Sequence, residues 1–128
     1  MNKGTLLTLL ALTVLATGCT SNLTQESYGN NTVIEYSNDI SQERVKAIHS
    51  GLVESGWDLN KANVTKQNET WYTVNLQTDI EEARITPSQQ YRFQQTATLV
   101  EYNAFQRNET LQLRSYNTEG RLISVFTQ

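Results

Sequence analysis

The stretch Ile40-Ser41-Gln42-Glu43-Arg44-Val45-Lys46-Ala47-Ile48-His49-Ser50-Gly51-Leu52-Val53-Glu54-Ser55-Gly56-Trp57 decides the fold. It reads as a helix with both ends written in. Ser41 suits the N-cap, where a hydroxyl accepts from a backbone N–H of the first turn that has no partner within the helix. Ile40 before it and Val45 after it have the hydrophobic-staple spacing. Val45, Ile48 and Leu52 fall on one face at i, i+3 and i+7. Gly56 can take the left-handed conformation that closes a helix, with Trp57 folding back on Leu52. The spacing predicts a helix over about 42–55, and its single apolar stripe requires a second layer to cover it.

The flanking segments supply that layer as strands. Thr32-Val33-Ile34-Glu35-Tyr36 is rich in β-branched and aromatic residues. Trp57–Lys66 and Glu69–Thr78 read as two strands joined around Lys66-Gln67-Asn68. In the second of them Tyr72, Val74 and Leu76 point one way, and Trp71, Thr73, Asn75 and Gln77 the other, as in a sheet with one wet face. Thr110–Tyr116 and Arg121–Thr127 flank Asn117-Thr118-Glu119-Gly120, a turn whose glycine suits a positive φ. The segment 79–106 admits two readings. Thr86-Pro87-Ser88-Gln89 has capping-box spacing with proline at the first helical position, and Phe93, Ala97, Val100 and Ala104 make a helical stripe behind it. The crowding of aromatic and β-branched residues favours instead a strand over roughly Thr96–Phe105 after one short turn. The expected fold is α+β: one amphipathic helix (about 42–55) packed on an antiparallel sheet of about five or six strands, within a domain spanning 32–128. A full helix from Pro87 gives the order β-α-β-β-α-β-β, still α+β.

Composition bounds the function. The chain has 128 residues, 38% hydrophobic and 18% charged, with net charge −3. That length accommodates one domain and excludes a multi-domain enzyme, a coiled coil or a collagen-like chain. Asn (12), Gln (11) and Thr (17) are abundant, which suits exposed strand faces and turns. No stretch gathers three basic residues, so no nucleic-acid partner is expected.

The N-terminus carries Lys3 and then Thr5–Ala16 without a charge. This is the n-region and h-region pattern of an export signal, and twelve residues are too few for a bilayer core, which needs roughly 20. The run ends Leu15-Ala16-Thr17-Gly18-Cys19, holding the only cysteine. It resembles the lipobox of bacterial lipoproteins, with Ala16 where leucine is usual. The resemblance implies that 1–18 is a signal peptide, that Cys19 receives a diacylglycerol, and that the chain is cut before it. Thr20 and Ser21 lack the aspartate of inner-membrane retention, so the implied location is the outer membrane, lipid-anchored on its periplasmic face. Residues 19–31, with Gly29-Asn30-Asn31, are then expected as a lipidated cysteine and flexible tether reaching about 40 Å at roughly 3.3 Å per residue. Processing leaves no thiol for a disulfide and, with Lys3 gone from ten basic residues against thirteen acidic, a charge of about −4.

No catalytic or metal-binding constellation emerges. His49 is the lone histidine and flanks the helix stripe, and a zinc or copper site needs further ligands. Asp79, Glu81 and Glu82 form the densest acidic group, without calcium-loop spacing, and read as a solvated turn. Asn-x-Thr triplets at Asn22, Asn30, Asn63, Asn68 and Asn108 follow from the composition. Trp71, on the polar side of its strand, is the candidate binding residue, because exposed large aromatics concentrate binding energy. The expectation is a non-enzymatic, cofactor-free envelope lipoprotein. It would bind another envelope protein as an assembly or accessory factor. The alternative is an inhibitor or blocker of an incoming hydrolase, toxin or phage component, using Lys66-Gln67-Asn68 as a protruding loop.

Overall fold

Residues 23–28, 32–57 and 61–128 are described by the computed structural model. The expected signal peptide 1–18 and Cys19 lie outside the described residues. The elements are β1 (Leu23–Tyr28), β2 (Thr32–Ser37), α1 (Gln42–Glu54), β3 (Lys61–Asn68), β4 (Trp71–Gln77), α2 (Pro87–Ala104), β5 (Thr110–Tyr116) and β6 (Leu122–Thr127). Among the described residues, six strands form one sheet in sequence order. Both helices lie on one face, giving a two-layer α+β domain.

The sheet is mixed, where an antiparallel one was expected. β1/β2, β3/β4 and β5/β6 are antiparallel pairs, whereas β2/β3 and β4/β5 are parallel. The reason is the helices: each returns the chain to the end of the sheet at which the preceding strand began, so the next strand repeats its direction. β2 and β4 run in opposite directions, yet both crossovers step the same way across the sheet and put their helix on the same face. The two crossovers therefore have opposite hands, and one of them departs from the right-handed rule obeyed in about 98% of such connections.

α1 forms as its caps dictate. Ser41 Oγ accepts from Arg44 N at 3.2 Å. At the other end Gly56 has φ 86°, Gly56 N donates to Val53 O at 2.9 Å and Trp57 N to Leu52 O at 3.2 Å, the paired bonds of a Schellman ending. Val45, Ile48 and Leu52 are buried.

The strand expected over Thr96–Phe105 is instead the C-terminal half of α2, an eighteen-residue helix. Thr86 and Gln89 form the reciprocal capping box, with Pro87 directly behind it, and Phe93, Ala97 and Val100 face the core. The threonines that suggested a strand are accommodated by bonding backward: Thr96 Oγ1 donates to Arg92 O (2.8 Å) and Thr98 Oγ1 to Gln94 O (3.0 Å). Leu23–Tyr28, expected within the tether, is strand β1, paired with β2 from Leu23↔Ser37 to Tyr28↔Thr32. The strand expected from Trp57 begins at Lys61, since Trp57 completes the helix cap; residues 58–60 lie outside the described residues. Lys66–Asn68 belong to β3, and the turn into β4 is Glu69-Thr70, so no loop protrudes there.

The core lies between the helices and one face of the sheet, filled by Ile34, Val64, Val74, Leu76, Leu111 and Leu113 from the strands. Trp57 stacks on Phe93 at 5.1 Å between ring centres and donates its indole N–H to Thr96 Oγ1 at 2.7 Å. Gly51 lets α1 and α2 touch: a Cβ there would sit 2.7 Å from Val100 Cα. The two helices run antiparallel, and neither has a basic residue in its own last turn. Each takes one from its neighbour. Arg44 donates to Ala104 O at the end of α2 (3.0 Å), and Arg92 to Gly56 O beyond α1 (2.7 Å). Cations at these ends complement the helix dipoles and satisfy terminal carbonyls. Arg44 also grips Glu109 with two bonds, at 2.7 and 2.9 Å, and Arg92 lies over the Trp57 ring at 3.9 Å.

Candidate functional site

The sheet has one face that no helix covers among the described residues. Its positions alternate with the core residues of each strand, which places Glu35, Lys61, Asn63, Thr73, Asn75, Gln112, Arg114 and Tyr116 on one side. The amides there form a ladder across three strands. Asn75 Nδ2 donates to Asn63 Oδ1 at 2.6 Å, and Tyr116 OH donates to Asn75 Oδ1 at 3.3 Å. Gln67 Nε2 extends it to Thr65 and Thr73, at 3.1 and 3.3 Å. Arg114 stands beside Asn75 in the register, with its Nε covered and without a hydrogen-bond partner. Burial lowers the Lys61 ammonium pKa, against the opposing pull of Glu35. A covered donor without a partner carries a cost within the fold.

Trp71 lies at one corner of this face, 38% exposed, between Asn68 and Thr110 in the register. The single covered face leaves it outward, as the strand alternation implied. His49 stacks against Tyr28 at 4.8 Å between ring centres, and burial lowers its pKa. Asp79, Glu81 and Glu82 are exposed along the connection from β4 to α2. No group of three or more His, Cys, Asp or Glu side chains able to hold a metal occurs among the described residues.

On the helix side a carboxylate cluster fastens the edge strand. Glu26 accepts from Gln42 Nε2 (2.5 Å), Tyr28 OH (2.7 Å) and Tyr36 OH (2.9 Å). These bonds, that of Gln42 first, lower the Glu26 pKa; burial first and then Glu26 raise the hydroxyls of Tyr28 and Tyr36. Through Glu26 the edge strand β1 is fastened to Tyr36 of β2 and to Gln42 of α1.

Sequence reasoning did not find the Asn63–Asn75–Tyr116 ladder or Arg114. Their signal is the polar half of the alternation in β3, β4 and β5. It becomes a site only when the register places those residues side by side. Cys19 lies outside the described residues. No helix among the described residues is long and apolar enough to cross a membrane. Comparison with known protein families, curated proteins and solved structures returns no match.

Proposed function

We propose that this chain is a lipid-anchored protein of the bacterial envelope. Cys19 attaches it to the periplasmic face of the outer membrane, and the domain binds another envelope protein as an assembly or accessory factor without catalysing a reaction. The observation that carries the reading is the open sheet face, where the Asn63–Asn75–Tyr116 ladder runs beside Arg114. The groups on this face are hydrogen-bonding amides, hydroxyls, the cations Lys61 and Arg114 and the carboxylate of Glu35, suited to the backbone and polar side chains of a partner. The blocking alternative needs a protruding loop, and the two-residue turn after β3 offers it less support.

The test is in-cell photocrosslinking from position 75, with position 95 on the exposed side of α2 as control. The expected outcome is one abundant envelope protein captured from position 75 alone, and lost when Arg114 is replaced by Met in a stably folded chain. Capture that is equal from both positions, or unaffected by Arg114→Met, overturns the assignment of this face.

A further inference from the structure

Strand direction gathers one end of the domain. Leu23 opens β1 opposite Ser37, the last residue of β2. Asn68 and Trp71 face each other at the β3–β4 turn, and Trp71 lies beside Thr110 at the start of β5. α2 finishes at this same end, where Ala104 O meets Arg44. Three side chains stand exposed around this rim: Leu23 on the edge strand (40%), Trp71 on the open sheet face (38%) and Tyr102 on the helical layer (85%). The exposed ionisable side chains are Asp39, Glu43 in the first turn of α1, Glu69 and Arg107, so the rim is acidic on balance and carries no excess of positive charge.

Cys19 precedes Leu23 by four residues, and four peptide steps span at most about 14 Å. The strands are six to eight residues long, about 20–26 Å at the usual rise. A lipid on Cys19 therefore brings this rim to the bilayer and leaves the opposite end, where β6 begins at Leu122, beyond it. We propose that the rim is a membrane-docking surface, with Leu23, Trp71 and Tyr102 seated in the headgroup layer and the sheet standing across the membrane plane. This rests on the lipid-anchor reading. Trp and Tyr suit that layer because one end of each ring system is apolar and the other polar. The charge balance fits zwitterionic headgroups rather than anionic ones, so docking is insensitive to salt. The open face then stands upright and free for a partner.

The test uses the full lipidated chain in phosphatidylcholine vesicles brominated near the headgroup end of the acyl chains. Mass spectrometry first establishes the diacylglycerol on Cys19. Trp57 is buried and Trp71 exposed, so quenching reports on Trp71, and the surface change Trp71→Phe leaves Trp57 as the internal reference. The expected result is a blue-shifted, bromine-quenched emission, unchanged by salt and absent in Trp71→Phe. A lipidated protein whose emission is neither shifted nor quenched overturns the docking while leaving the anchor intact; a Trp71 crosslink to a protein in cells would then assign the rim to a protein contact. A Cys19 peptide without lipid overturns the anchor reading, and the docking with it.

Discussion

On the covered side of the sheet Ile34, Val64, Val74 and Leu113 are sealed beneath two helices. One residue along the same strands, Glu35, Asn63, Asn75 and Arg114 face outward; Asn75 bonds Asn63 and Tyr116, and Glu35 accepts from Gln25. The backbone is common to both faces, so the difference lies wholly in the side chains. On the covered face a change of shape is felt by the fold, because close-packed interiors relax little. On the open face a changed side chain meets solvent and a few polar neighbours instead. Each face also has one departure: Ser115 and Ser124 bury unpartnered hydroxyls on the covered side, and Arg114 holds an unpartnered Nε on the open one.

The largest expected effect breaks the covered side where it is tightest. Gly51→Ala puts a Cβ 2.7 Å from Val100 Cα and 3.1 Å from Leu99 O, backbone atoms that yield only if the helices part. A loss of about 1–3 kcal/mol is expected from overpacking, read as a lower urea midpoint with an unchanged slope. Asn75→Ala, on the other face of the same domain, should shift that midpoint far less. Equal losses at the two sites would remove the distinction between the faces.

Acid tests the fastening of the covered side. Burial works to raise the Glu109 carboxyl, but the bonds from Arg44 and from the backbone at Gln106 outweigh it and hold its pKa below 4.5. Glu26 is lowered by Gln42, Tyr28 and Tyr36. A carboxyl whose folded pKa is depressed contributes stability that is present above its unfolded pKa and lost as pH falls through the folded value. The melting temperature should therefore drop as pH falls below about 4.5, and Glu109→Gln should lower it at neutral pH while flattening the acid limb. Asn75→Ala, on the open face, should leave that limb unchanged. A limb as steep in Glu109→Gln as in the parent would place the acid-sensitive groups elsewhere.

The same contrast between local and distant causes explains what could be read from the chain. α1 was legible because Ser41, the Val45–Ile48–Leu52 stripe and Gly56 are all within a few residues of what they control. α2 was half legible: the Thr86–Gln89 box was visible, but the β-branched residues after Phe93 pointed to a strand, and the packing of Phe93, Ala97 and Val100 against α1 decided otherwise. β1 was not legible as a strand. Its residues, Leu-Thr-Gln-Glu-Ser-Tyr, carry little strand preference, and what holds them is pairing with β2 and the Glu26 bonds to Tyr36 and Gln42. The two parallel pairings were hidden for a related reason, since alternation assigns faces and says nothing of strand direction. The outward position of Trp71 followed from alternation alone, while the ladder beside Arg114 required the register.

The smallest effect sharpens the comparison at its weakest point. Ser115 and Ser124 oppose each other across β5 and β6 on the covered face, both buried, with no hydrogen-bond partner for either hydroxyl. A buried polar atom without a partner is a net cost, and its replacement by an apolar group of similar shape is neutral or stabilising. Ser115→Ala with Ser124→Ala should gain up to about 1 kcal/mol, a little below the penalty range for unsatisfied groups because some packing contact is lost with the oxygens. A matching loss would mean that the two hydroxyls bond each other across the strands. The covered face would then hold a polar pair of its own, and polarity alone would no longer separate the two faces; only access to solvent would.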